Sequence, residues 1–113
     1  MTTAVTVVVR DAADHTVIEP HGQLYFDTFA PLRDALVVLG SGERPRLVLD
    51  LSDVDLCDSS GLNLLAQTHR IAARHGGWLR LVGVHPNVRR VLDATNLTRL
   101  LGIYDTVDGA LAT

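Results

Sequence analysis

At 113 residues, with 47% apolar and 20% charged side chains, the chain has the length and balance of one folded domain and not of a disordered segment. Aromatic residues make up only 4%, so Val, Leu, Ile and Ala must build the core. The net charge is −3, and ten arginines are scattered along a chain without lysine, which leaves no basic stripe of the kind that nucleic-acid binding requires.

Cys57 is the single cysteine, so no internal disulfide forms and a reducing compartment is expected. The start, Met1-Thr2-Thr3-Ala4-Val5, has no basic region followed by an apolar stretch. No apolar run reaches transmembrane length. These features predict a cytoplasmic chain with no membrane or direct nucleic-acid partner.

Val5 to Arg10 is a β-branched run and reads as a strand. A polar turn at Asp11 to Asp14 leads to a second strand, His15 to His21, and the two read as an antiparallel hairpin. Pro20 marks an edge or a strand end. After Gly22, Asp27 or Thr28 is expected to cap a helix running to about Leu39, with Phe29, Leu32, Leu36 and Leu39 on its buried face. Arg46 to Leu51 reads as a buried strand. A loop and a helix to about His75 follow, stopped by Gly76-Gly77. Trp78 to Val84 is the next strand, and Pro86 suits the first turn of a helix over Asn87 to Thr95. Ile103-Tyr104 is a short strand ahead of a terminal helix from about Thr106. The order is β-β-α-β-α-β-α-β-α, which predicts a single α/β domain over 1–113. Its sheet is mixed and mostly parallel, with an antiparallel edge hairpin and about four helices.

The residues between the third strand and the second helix, Asp58-Ser59-Ser60-Gly61-Leu62, carry the functional signal. Strand, loop, serine, glycine and helix in that order place hydroxyl groups at the positive end of a helix. A phosphate there meets free N–H groups and a favourable dipole. The plainer reading is an N-cap, because Asp and Ser both satisfy such N–H groups. On a helical wheel Asn63, Gln67, Arg70 and Arg74 make one narrow polar stripe, and the remaining arc is apolar or small. Either two layers of the domain cover that arc, or its margin at Leu62 and Ala66 is exposed to a partner.

Val48 to Val54, followed by Asp58-Ser59-Ser60-Gly61-Leu62, resembles the signature of bacterial anti-sigma factor antagonists with the STAS fold. Gly22-Gln23-Leu24, Arg80 to Val84, Pro86-Asn87-Val88 and Asn96-Leu97 fall where that family has a Gly-x-Leu turn, its fourth strand, a Pro-opened helix and a short turn. The resemblance implies a switch in transcription regulation, of the partner-switching kind used in stress responses. Ser59 would be the residue phosphorylated by an anti-sigma factor that is itself a serine kinase and binds the ATP. Unmodified protein would hold that kinase and free a sigma factor, the phosphorylated form would let go, and a serine phosphatase would reset it. Asp58 and Ser60 would flank the site, Gly61 would let the backbone turn into the helix, and Leu62 would shape the docking surface. Asn63 and the Gln23 to Asp27 loop would add contacts. One departure stands out: where the family commonly has an acidic residue after Gly-x-Leu, this chain has Tyr25, with Asp27 two residues on. The alternative is a STAS module outside the phosphorylation cycle, one that senses a small ligand such as a nucleotide or scaffolds an assembly.

Other chemistry finds little support. Asp50, Asp53, Asp55 and Asp58 lack the central glycine and closing glutamate of a calcium loop and read as a solvated acidic loop. The five histidines show no zinc-type spacing with Cys57, and His69 reads as a partly buried packing residue. Asp-Ser-Ser-Gly is not a nucleophile elbow, and no Walker loop or dinucleotide fingerprint is present. The expectation is a protein that is not an enzyme, with no catalytic residue, metal or cofactor of its own.

Overall fold

The computed structural model describes residues 3–112. Strands β1 (Thr6–Asp11) and β2 (Thr16–His21) precede helix α1 (Ala30–Gly40), strand β3 (Arg46–Asp50) and helix α2 (Ser59–Arg74). Strand β4 (Trp78–Val82), helix α3 (Pro86–Ala94), a 3-10 turn (Leu97–Arg99), strand β5 (Gly102–Tyr104) and helix α4 (Val107–Leu111) complete the described chain. The five strands lie side by side in chain order. β1 pairs antiparallel with β2, from Thr6 opposite His21 to Asp11 opposite Thr16. Every later pair is parallel. The α/β order and mixed sheet expected from the sequence are therefore present.

Strands that follow chain order through same-handed crossovers send all the crossover helices to one face. The main core shows this. Leu32 and Leu36 of α1, Leu62 and Leu65 of α2, and Val88 and Leu92 of α3 bury against Ile18, Leu47, Leu49, Leu79 and Leu81 of the sheet. α4 covers part of the opposite face, where Ala110 packs with Val48 and Val82, with Trp78 and Tyr104 alongside. β3 is buried on both faces, which is why Leu47-Val48-Leu49 is an unbroken apolar run with no alternation.

Two expectations change, the cap of α1 and the end of β4. α1 begins after Phe29 with no side-chain cap, so neither Asp27 nor Thr28 caps it. Thr28 is buried instead, donating its hydroxyl to the Gln23 carbonyl at 2.6 Å and accepting the Tyr25 N–H at 2.9 Å. Pro20 sits one residue from the end of β2, which is the strand-end reading of the two that the sequence offered. β2 is interior, and Pro20 lies past Ile18, the last β2 residue paired to β3, so its missing N–H leaves no gap in that ladder. β4 stops at Val82 because Gly83, at φ +63°, turns the chain where a Cβ would meet the Ser52 hydroxyl at 2.7 Å. The margin of α2 at Leu62 and Ala66 is buried, each only 2% exposed, so the domain itself covers that arc. The Asn63, Gln67, Arg70 and Arg74 stripe is exposed as the wheel predicts.

Leu49, fully buried at the centre of β3, tests the assignment of the core. Leu49→Ala removes side-chain packing that the surrounding helices cannot refill. The expected loss is about 2–5 kcal/mol of unfolding free energy in a urea titration.

Candidate functional site

The site forms where β2 and β3 end on the same side of the sheet. Past Asp50 the chain stays close to the turn that follows β2. Gly22 donates its N–H to the Asp53 carbonyl at 3.3 Å, Leu24 donates to Leu56 at 3.1 Å, and Asp58 donates to Leu24 at 3.0 Å. Leu24 and Cys57 pair as an isolated parallel bridge. The 22–28 turn and the loop into α2 are therefore one stitched unit.

Asp58 sits at its centre. Its backbone is extended at φ −87° and ψ 178°, and it is the N-cap of α2. One carboxylate oxygen accepts the Gly61 N–H at 2.8 Å, and the other accepts the Phe26 N–H at 3.1 Å. A single side chain thus closes the helix start and fastens it to the β2–α1 turn. Ser59 and Ser60 are the first two helical residues, and their N–H groups lie in the first turn, where no intrahelical acceptor exists. Ser59 is exposed and Ser60 half-buried.

Gly61 has a role the sequence reading misassigned. It does not turn the chain, since it lies inside the helix. It lets α2 approach the stitched loop: a Cβ there would fall 2.6 Å from the Leu24 carbonyl oxygen and 2.7 Å from the Cys57 sulfur. Burial and the neighbouring Asp58 charge push the Cys57 thiol up to about 12, so it stays protonated and is no nucleophile near neutral pH.

The remaining sequence candidates separate into two surfaces. Leu62 and Asn63 line a groove with Ser59. Gln23 lines a different, polar cleft of about 370 Å³ with Gly22, Ser52, Asp53 and Asp55. Tyr25 is half-buried, with its N–H held by Thr28, and Asp27 is exposed on the same turn. The acidic residues of the loop serve different partners. Asp50 accepts the Ser52 N–H at 3.0 Å, Asp58 caps α2, and Asp53 lies 2.7 Å from His21 Nδ1. His69 accepts the Leu79 N–H at 3.2 Å, so it ties α2 to β4 as well as packing there.

Sequence reasoning did not mark Phe26 and Leu56, large apolar residues 72% and 40% exposed beside the Asp58 cap. The available signal was composition: an aromatic and a leucine stand at polar turn positions where no buried face needs them.

The STAS domain profile matches residues 5–110. The chain belongs to the STAS domain family. A Mycobacterium paratuberculosis anti-sigma factor antagonist of known structure shares the STAS fold with a TM-score of 0.85 at 30% identity, over 96% of this chain and 92% of that one. A Thermotoga neapolitana protein named a candidate anti-sigma factor antagonist is 39% identical over 66 residues, 58% of this chain and 58% of that protein. The anti-sigma F factor antagonist of Paenibacillus polymyxa is 34% identical over 65 residues, 58% of this chain and 56% of that protein. This STAS chain thus aligns with less than two thirds of the length of those two sequence relatives.

Two measurements probe the architecture of the STAS site. Gly61→Ala forces a methyl group into the Leu24 carbonyl, and about 1–3 kcal/mol of stability is expected to be lost. Gly61→Ala as stable as wild type would show that the close approach does not constrain α2. The second is a pH series. His21 is held above its ordinary pKa chiefly by its hydrogen bond to Asp53, with Glu19 also near at 3.4 Å. Its contribution is full below the unfolded-state value of about 6.5 and fades as pH rises through the folded-state value. His21→Ala should therefore lower Tm more at about pH 5.5 than at about pH 8.5.

Proposed function

We propose that this STAS chain is an anti-sigma factor antagonist whose binding is switched off by phosphorylation of Ser59. The observation that carries the reading is an exposed serine hydroxyl on the first turn of a sixteen-residue helix, with the cap already supplied by Asp58. Ser59 is not needed for capping, so its hydroxyl is free for other chemistry. The names carried by the similar proteins support the same reading.

In this reading the unmodified protein binds an anti-sigma factor through the surface around Ser59, and the sigma factor is released. The anti-sigma factor is also the kinase and holds the ATP. The γ-phosphoryl group passes to the Ser59 oxygen and ADP leaves. A serine phosphatase hydrolyses the ester and restores binding. The protein itself catalyses nothing.

Magnitudes decide which partner feels the phosphate. The modification adds about 1.5–2 negative charges. Within the domain, the α2 dipole offsets about 0.3–1 kcal/mol, and nearby Asp58 opposes it. At a packed interface the same dianion is desolvated without a counter-charge, which costs several kcal/mol. A loss of about 4 kcal/mol is about a thousandfold in affinity. The complex therefore fails while the fold persists. Ser60 and Asp58 shape the approach to the hydroxyl. Asn63 and the Gln23, Tyr25 and Asp27 turn add contacts at its rim, Tyr25 replacing charge with an amphipathic ring.

A small ligand bound at the Ser59 end of the sheet would sit in the polar cleft beside Gln23. That cleft is lined by Asp53 and Asp55 and by no cation, the wrong sign for nucleotide phosphates. The Ser59 surface is the better supported site.

Ser59→Ala should bind the anti-sigma factor of its own cells as wild type does and resist release by ATP. Ser59→Asp should bind at least about tenfold weaker, given only a single charge in place of a dianion. Calorimetric titration of both variants checks this. Equal affinity for Ser59→Asp and wild type would remove the electrostatic basis of the switch.

A further inference from the structure

β1 forms one edge of the sheet. Along an antiparallel pair, successive residues send their N–H and C=O groups alternately to the partner strand and away from it. Two bonds fix which residues of β1 do which. Ala12 donates its N–H across the hairpin to His15 at 2.9 Å, while Val5 donates outward to the Thr28 carbonyl at 3.0 Å. The odd-numbered residues therefore face the open side. Pro20, opposite Val7, agrees with this, since it has no N–H to give. The Val5 N–H is held by Thr28, but the main-chain groups of Val7 and Val9 have no partner among the described residues.

Sheet edges are usually blunted by charge, proline, bulges or shortness. The other edge, β5, is only three residues long. Thr6-Val7-Val8-Val9 has none of these protections. Charge begins at Arg10, which pairs with Glu19 at 3.5 Å. Val8 and Val9, on opposite faces of the sheet, are 39% and 42% exposed.

The helix above this edge is apolar on the same side. α1 packs over β1. Leu32 and Leu36 face the core, and Gly40 faces α2, where a Cβ would lie 3.8 Å from the Thr68 methyl group. At about 100° per residue, Pro31, Ala35 and Val38 fall on the flank away from α2, toward the β1 edge. That stripe carries no charge, and Val38 is 73% exposed.

We infer that the β1 edge is a self-association surface, on which β1 of a second copy of this chain pairs antiparallel about a two-fold axis at Val8. The occupant follows from self-complementarity. With Val8 opposite Val8, the Val7 of one copy and the Val9 of the other exchange N–H···O=C bonds, and Thr6 lies opposite Arg10. Apolar meets apolar, and no like charges face each other. Moving the axis to Val9 sets Asp11 against Val7 and Arg10 against Val8. Moving it to Val7 needs the Val5 N–H that Thr28 holds. The two-fold stands perpendicular to the sheet, so the helices of both copies share one face and the two apolar α1 flanks meet across the axis. β1 and β2 lie between the axis and the Ser59 end of β3, so both serines stay open. The inference is independent of the Ser59 switch. One strand pair and one helix flank bury less than a standard interface of about 1,600 Å², which sets the dissociation constant at about 10–100 µM.

Sedimentation of the wild-type chain from about 5 to about 500 µM tests this, and the mass should rise from monomer toward dimer. Val8→Lys sets two ammonium groups opposite each other at the axis and should weaken association about tenfold or more. Val38→Glu should weaken it as well, whereas Val37→Glu, off the apolar flank and also exposed, should not. Both changes to β1 and α1 are at exposed positions, so the unfolding midpoint of the dilute protein should barely move. The register has its own readout. Val8→Cys, treated with oxidised glutathione, should give a disulfide-linked dimer that dithiothreitol reverses, and Arg10→Cys should not. A wild-type chain that is monomeric at every concentration overturns the inference, whatever other strand the edge accepts. A dimer that tolerates Val8→Lys, or cross-linking that is equal for Val8→Cys and Arg10→Cys, overturns it too, because association then uses another surface or register.

Discussion

The carboxylate of Asp58 holds the site together. Its two oxygens take N–H groups from separate elements, Gly61 in α2 and Phe26 in the β2–α1 turn. Hydrogen bonds to an ionised acceptor are roughly twice as strong as neutral ones. This pair therefore fixes the start of α2 against the rest of the sheet edge. The close approach needs Gly61, because any Cβ would strike the Leu24 carbonyl. Asp58 and Gly61 are therefore structural halves of one joint. Ser59, lying between them, is spared from structural duty and left at the surface.

With that division of labour, a phosphate on Ser59, as proposed, would change the charge of the domain without changing its fold. The helices on one face bury a continuous aliphatic core, and the Ser59 hydroxyl is outside it. A negative charge on the first turn of α2 meets favourable N–H groups within the domain. The same charge at an interface meets desolvation. The asymmetry lies in the environment of one side chain and requires no conformational change. The exposed Phe26 and Leu56 beside the cap extend this surface with apolar area.

Much of the fold was legible in the chain because local signals and tertiary demands agree. Leu47-Val48-Leu49 reads as a doubly buried strand and is one, and Asn63, Gln67, Arg70 and Arg74 mark the solvent stripe of α2 correctly. The failures occur where tertiary contacts override local preference. Thr28 looks like a helix cap but uses its hydroxyl inside the preceding turn. Gly61 reads as a turn residue because sequence cannot show that Leu24 passes close by. The Asp58-Ser59 site was visible as a motif, whereas its attachment to Phe26 required the folded geometry.

The most direct test of the central claim compares stoichiometrically phosphorylated and unmodified protein in two measurements on the same samples. The first is affinity for the anti-sigma factor, and the second is the thermal unfolding midpoint. The account predicts an affinity loss of about a thousandfold, or about 4 kcal/mol, with the midpoint nearly unmoved. Retained affinity, or lost affinity accompanied by collapse of the midpoint, would contradict it.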